Sequence, residues 1–403
     1  MEYKGIIITG TSGSGKSIVV SKLCEKFDMF QRVQSTLTRK KRNDDEFSVY
    51  VCLSKKEFSD LEKAGELVIT FTYRGEKYGI KIEHFEKVTQ EGKVPVMLLT
   101  PEAANKLDIN LQMKDKFIII FLDASDDILD KRLKERGENF DAVREQIEID
   151  RNYKDEMWKR ENCPIYCIKN EDDTSKDDII DLIYYLYKYR NRGGLIPKKL
   201  IEIMIKCGLL LENAMFDNIK DNIKGASYDL RLGEEYFHKG EIKQLTEKEP
   251  FIILEPGDYA LVSSEEIAKL PKDIAGRFDV SVSLFCKGVI LSNGPQIDPG
   301  FRGRLYCLLF NTSNKEMQLK LGDHFATIEF IKLVDHTLPY SGKYQNKLRM
   351  KDYLPDVVKS SAINQLMQDV EELKKAKWYE KTLPLILSII ALIISIGGCS
   401  KNF

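Results

Sequence analysis

Gly10-Thr11-Ser12-Gly13-Ser14-Gly15-Lys16-Ser17 is a run whose residue types and spacing suit phosphate chemistry. Gly10, Gly13 and Gly15 free the backbone to turn its N–H groups onto phosphate oxygens, and Ser14 shares that turn. Lys16 then reaches the β- and γ-phosphates, and the Ser17 hydroxyl ligates Mg²⁺. The pattern predicts a site for ATP or GTP with magnesium. No rival chemistry of this strength stands elsewhere. The histidines (His84, His238, His324, His336) form no ligand cluster, which argues against zinc hydrolysis. Cys163 and Cys167 flank apolar residues that read as a strand, so they are expected as core thiols rather than a metal site. The scattered cysteines fit a reducing compartment.

The elements around the loop are those its mechanism requires. GIIITG before it reads as a strand and IVVSKLCEKF after it as a helix. Strand-like runs near Val94 and Phe117 alternate with charged helical stretches, so residues 1–190 read as α/β. Residues 191–197 hold two glycines and a proline and are expected as a linker. Residues 198–352 open with one short helix and continue as brief alternating runs between turns, the pattern of a sandwich or barrel. Residues 358–380 carry Ile363, Leu366, Val370 and Leu373 at heptad-like spacing, predicting an amphipathic helix. Residues 382–399 are uncharged and read either as a buried helix or, preferred here, as a membrane anchor. Lysines before the run and only Lys401 after it keep the bulk of the protein cytoplasmic. With 62 Lys plus Arg against 63 Asp plus Glu, no global field draws the chain to nucleic acid, and no nucleic-acid partner is expected. At 403 residues, two or three folded units are expected.

Ser35-Thr36-Leu37-Thr38-Arg39-Lys40-Lys41-Arg42, the strand Tyr50-Val51-Cys52-Leu53-Ser54, Gly65-Glu66 and Tyr78-Gly79 resemble guanylate kinases in type and spacing. The resemblance implies that Ser35, Arg39, Arg42, Tyr50 and Tyr78 hold the phosphate of an acceptor monophosphate. Two arginines suit a dianionic phosphate, though alone they also read as a solvated basic loop. Lys131-Arg132-Leu133-Lys134-Glu135-Arg136 resembles the family's lid, so Arg132 and Arg136 are expected to offset charge on the transferring group. Asn170 begins a segment that resembles the loop against the adenine of ATP. The departures concern the base. Ile69 and Ile80 stand where the family reads guanine, and Leu98 and Leu99 where acids would help. Unpaired buried donors on guanine would cost about 1–3 kcal/mol each, so another monophosphate is expected.

Ala226-Ser227-Tyr228-Asp229-Leu230-Arg231-Leu232-Gly233, the segment with Ser283, Ile297-Asp298-Pro299-Gly300-Phe301-Arg302-Gly303 and Leu321-Gly322-Asp323 occur in the order of the dCTP deaminase and dUTPase family, which they resemble. The resemblance implies a homotrimer with sites between subunits, and substrate contacts from Ser227, Asp229, Arg231, Ser283, Asn293 and Asp298. Leu308 takes the place of the deaminases' proton-shuttling glutamate, so deamination is not expected. Asp298 matches the aspartate with which dUTPases orient the attacking water, while Thr327 replaces a usual glutamine. Hydrolysis and binding without turnover both stay open.

The expected fold class is multidomain, α/β plus all-β: an N-terminal P-loop kinase domain, a dUTPase-like barrel or jelly roll, then a C-terminal helix and transmembrane segment. The expected function is ATP-dependent phosphorylation of a nucleoside monophosphate other than GMP, with Lys16, Arg132 and Arg136 catalytic, joined to a domain that binds or hydrolyses a pyrimidine deoxynucleotide through Asp298. The alternative is a membrane-tethered nucleotide sensor or phage-defence effector.

Overall fold

The structure, a computed structural model, describes residues 4–39, 49–73, 75–109, 116–161, 163–214, 219–292 and 296–354, with positions 372 and 388 besides. Arg42 and Asn293 lie outside the described residues. So do the expected amphipathic helix and anchor, apart from those two positions. Among the described residues no helix is long and apolar enough to cross a membrane.

The N-terminal part is α/β. Strand β1 (Gly5–Gly10) is buried at all six residues, as a strand covered on both faces must be, and its apolar run has no polar alternation. It lies between β7 (Val94–Leu98) and β8 (Phe117–Asp123), with β2 (Phe30–Arg32) and β9 (Ile165–Lys169) outside, and every pairing is parallel. A second sheet of β3 (Ser35–Leu37), β4 (Tyr50–Cys52), β5 (Leu67–Tyr73) and β6 (Glu76–Lys81), in the order β4-β3-β6-β5, stands apart from it. Helices α1 (Lys16–Lys26), α2 (Lys55–Ala64), α3 (Ile82–Gln90), α4 (Pro101–Ile109), α5 (Asp126–Glu135), α6 (Phe140–Trp158) and α7 (Lys176–Lys188) connect the strands. Local sequence explains their starts. Ser54, the last residue of the tyrosine-strand motif, caps α2 in a capping box with Glu57.

Helix α8 (Lys198–Lys206) opens the β-rich part. Its main sheet has the order β17-β19-β15-β12-β21-β16-β18: Val289–Leu291, Arg302–Asn311, Tyr259–Lys269, Ser227–His238, His324–Lys332, Ile274–Val280 and Gln296–Ile297. The flanking pieces β10 (Gly194–Leu195), β11 (Leu210–Glu212) and β13 (Glu241–Gln244) pair onto it, and β14 (Phe251–Leu254) pairs with β20 (Met317–Lys320). Strand β19 alternates half-exposed and buried side chains along its length, the period-2 signature of a sheet with one dry face.

The two halves share a core. The buried apolar cluster runs from Ile6 and Ile120 through Ile183 of α7 and Ile201 of α8 to Leu230 and Phe330. Two polar contacts cross the same junction: the Tyr166 hydroxyl donates to Asp273, which Lys332 of the β-rich half also holds at 2.5 Å, and Lys272 donates to the Arg160 carbonyl at 2.8 Å.

Candidate active sites

The phosphate loop is shaped by what surrounds it. Gly10 has φ +141°, and a Cβ there would stand 2.0 Å from the Leu122 carbonyl oxygen, so no other residue fits. Gly15, at φ +84°, leaves room for the Asn170 amide, which donates to the Ser14 carbonyl at 2.7 Å. Thr11 donates to Asp123 at 2.9 Å, and Arg151 holds that carboxylate from the other side at 2.9 Å. The Ser14 hydroxyl closes onto the Thr11 carbonyl at 2.7 Å. Lys16 donates to the Gly10 and Thr11 carbonyls at 3.0 and 2.7 Å, bringing its ammonium to the mouth of the loop. Burial lowers its pKa to about 8, with Arg136 adding to the shift while Asp150 and Asp123 oppose it. Ser17 is exposed in the first turn of α1.

A cavity of about 250 Å³ opens beside Lys16. Its lining includes Ser35, Arg39, Tyr50 and Tyr78, the apolar side chains of Phe71, Leu98 and Leu99, and Arg136 and Glu138. Tyr78 stacks on Phe71 at 5.4 Å, and Tyr50 accepts from Arg32 at 3.1 Å, which fixes both phenols. The structure therefore gathers Lys16, Ser35, Arg39, Tyr50, Tyr78 and Arg136 in one place. It places Arg132 and Asn170 elsewhere. Arg132 donates to the Asn170 carbonyl at 2.8 Å and to Asp172 at 3.0 Å, and Asn170, fully buried, buttresses the loop from beneath. Ile80 is in the core rather than in the cavity, while Leu98 and Leu99 do face it.

Sequence reasoning missed Asp150. It lies on the buried stripe of α6 with Val143 and Ile147, accepts from Gln146 at 3.0 Å and lines the cavity. An acid on an otherwise apolar helical stripe was the available signal. Burial raises its pKa to about 6, against the pull of Gln146 and Lys16. A carboxylic acid with a raised folded pKa is disfavoured by folding above that value and loses this handicap as pH falls towards the unfolded value. Asp150→Asn should therefore stabilise the protein at pH 7.5 by about 2–3 kcal/mol, at 1.36 kcal/mol per pKa unit. The gain should vanish near pH 4; urea unfolding at both pH values measures it.

The second cavity, about 360 Å³, is lined by Asp298, Phe301, Arg304, Tyr306, Tyr340, Tyr344 and Tyr353. Tyr344 stacks on Tyr353 at 5.0 Å with planes 6° apart. Gln345 donates to the Gly300 carbonyl at 2.9 Å and accepts from the Arg302 amide at 2.9 Å, tying this arm to the Asp298 turn. Asp298 is exposed, with Gln296 at 3.4 Å. The other candidates do not line this cavity. Arg231 is held at 2.7 Å by Glu266, which is fully buried and also accepts from Tyr228 at 3.1 Å. Asp229 accepts from Thr327 at 3.0 Å, and Ser227 pairs with Glu329 at the start of β12. Ser283 lies exposed on the short helix Val282–Phe285, 3.1 Å from Ser281.

Two family models match the chain: guanylate kinase over residues 2–159 and dCTP deaminase-like over residues 198–333. A dCTP deaminase of Pyrococcus horikoshii is 39% identical over 132 residues, 32% of this chain and 83% of that protein. The chain belongs to the dCTP deaminase-like family. It is a fusion, with a guanylate kinase domain ahead of the deaminase-like one. A dUMP-forming dCTP deaminase of Sulfurihydrogenibium is 29% identical over 170 residues, 38% of this chain and 92% of that protein. Among solved structures, guanylate kinase from Anaplasma phagocytophilum is similar at 21% identity and TM-score 0.35, covering 46% of this chain and 86% of that one. A dCTP deaminase from Agrobacterium tumefaciens is similar at 18% identity and TM-score 0.31, covering 35% and 48%. By the two family models, both domains belong to families of nucleotide-metabolising enzymes.

Proposed function

We propose that the chain is a two-site nucleotide enzyme. Its N-terminal cleft transfers the γ-phosphoryl group of MgATP to a nucleoside monophosphate other than GMP. Its deaminase-like half hydrolyses a pyrimidine deoxynucleoside triphosphate. The observation that carries the first part is the convergence of Lys16, Arg39 and Arg136 on one cavity beside the phosphate loop. Magnesium fits the donors present, because Mg²⁺ takes few protein ligands and Ser17, exposed next to Lys16 at the start of α1, offers a hydroxyl, with phosphate oxygens and water to complete the shell. The ion would neutralise charge between the phosphates. Arg39 grips the acceptor phosphate, with Ser35, Tyr50 and Tyr78 around it and Arg42 as a further proposed contact. Lys16 and Arg136 stabilise charge on the transferring group, and Arg132 closes with the lid. The apolar wall of Phe71, Leu98 and Leu99 supports a base other than guanine. Incubation with ATP, magnesium and single monophosphates should give a diphosphate from a non-guanine acceptor and little from GMP. ATP turnover indifferent to every acceptor would contradict this.

In the second half, an exposed carboxylate beside aromatic rings supports water activation at Asp298, and Leu308 leaves no acid at the deaminase position. Water attacks the α-phosphorus, pyrophosphate leaves and a monophosphate remains. Asp298→Asn should lower pyrophosphate release at least about 100-fold while the nucleotide still binds. Ser227, Asp229, Ser283 and Asn293 are proposed to serve a site completed by neighbouring copies. Val282 and Phe285, 76% and 61% exposed around Ser283, are apolar surface suited to such burial. The chain should therefore run as a homotrimer in light-scattering chromatography, and Phe285→Asp as a monomer.

Leu308 also favours a second reading, a sensor that binds without turnover; bound nucleotide with no product over hours would establish it. Residues 382–399 are proposed to anchor either form, and resistance to alkaline carbonate extraction tests this.

A further inference from the structure

A third cavity, about 380 Å³, lies where the two halves join. Its walls are Tyr185 on α7 with Tyr189 just beyond, residues 192–197 with β10, Lys199 and Leu200 of α8, and Lys332 on β21. The tyrosine rings stack with centroids 5.9 Å apart and planes 7° apart, making a flat aromatic wall. Cations surround it: the Arg192 guanidinium is 5.8 Å from the Tyr189 ring and the Lys199 ammonium 5.7 Å from the Tyr185 ring. No Asp or Glu lines the cavity. The Lys199 ammonium is hydrogen-bonded to the Tyr185 hydroxyl, which raises its pKa, so among the described residues its partner is a neutral phenol rather than a carboxylate. Lys332 is partly offset from behind by the buried Asp273, and Asp181, the acid nearest in influence on Lys199, is paired with Lys26 at 2.7 Å.

We infer that this junction is a third nucleotide site, taking one nucleoside phosphate with its base against the tyrosines and its phosphates on Arg192 and Lys199. An aromatic face accepts any base, and a guanidinium beside an ammonium suits phosphate oxygens. The size favours a mononucleotide over a strand, because single small ligands occupy pockets of roughly 300–1,000 Å³. Neither proposed reaction uses these residues. Both halves contribute walls, so occupancy here bears on how α7 packs against the β-rich part, and a nucleotide made or consumed at one site gains a route to influence the other.

Photocrosslinking the full chain with 8-azido-ATP and with 4-thio-dUTP, followed by peptide mapping, tests it. A saturable adduct on the peptide carrying Tyr185 or Tyr189 is expected with at least one probe. That adduct should persist in Lys16→Ala and in Asp298→Asn, and fall about tenfold or more in Arg192→Glu and in Lys199→Glu. Both charge-reversed residues are exposed, so melting temperature should stay unchanged. Adducts confined to the phosphate loop and the Asp298 cavity would overturn the inference and leave the proposed reactions standing. An α7 adduct that survives both charge reversals would overturn it as well.

Discussion

Lys16→Ala should lower phosphoryl transfer from ATP by about 100- to 1,000-fold, the cost of removing one preorganised cation from developing phosphoryl charge. The loss should fall on turnover rather than on folding. Lys16 spends two hydrogen bonds on the carbonyls of Gly10 and Thr11, and burial pulls its pKa down to about 8. A lysine whose folded pKa is lowered is disfavoured by folding while it stays charged, most strongly below about pH 8. Replacing it removes that handicap, so the variant should melt no lower than the parent at pH 7. Such opposition between activity and stability marks a group retained for chemistry. A coupled assay of ADP formation and a melting curve read the two effects separately. Unchanged turnover in a folded variant would remove the kinase half of the account.

The second large effect belongs to the deaminase-like half. Glu266→Gln should destabilise it by about 3–5 kcal/mol, because Arg231 would keep a largely buried charge with no carboxylate opposite it. Glu266 is fully buried and accepts from the Arg231 amide at 3.0 Å, the Arg231 side chain at 2.7 Å and Tyr228 at 3.1 Å. Arg231 also donates to the Asn213 carbonyl at 2.7 Å, so it binds three segments together. The pair Arg231→Met with Glu266→Leu should recover much of the loss, since no lone charge remains. Denaturant titration of the single and double variants measures this. A single variant as stable as the parent would free Arg231 for the substrate contact that its motif first implied.

That contrast explains what was readable from sequence. The phosphate loop was legible because its chemistry is local: three glycines, Lys16 and Ser17 must lie within one turn, and Gly10 cannot be replaced against the Leu122 carbonyl. The residues proposed for the acceptor phosphate were legible through motif spacing, in that Ser35, Arg39, Tyr50 and Tyr78 meet in one cavity. The order of α/β before β-rich elements followed from the change in hydrophobic period. Partnerships between distant segments were not legible. Arg231 meets Glu266 across 35 positions, and Arg132 is held by Asp172 across 40, and nothing local to either residue names its partner. Asn170 was expected against adenine, yet its amide supports the Ser14 carbonyl. Asp150 belongs to no motif and became visible only when α6 turned it towards Lys16. Ser283 is not among the residues that line the Asp298 cavity, and nothing local to either segment says whether they serve one site.

The most direct measurement is a product analysis of the full chain by mass spectrometry. The reaction holds ATP, magnesium, a mixture of nucleoside monophosphates and the pyrimidine deoxynucleoside triphosphates, run beside Lys16→Ala and Asp298→Asn. The account predicts a new non-guanine diphosphate that disappears in Lys16→Ala alone. It also predicts a deoxynucleoside monophosphate with pyrophosphate that disappears in Asp298→Asn alone. No product in any reaction, with nucleotides bound throughout, would contradict it.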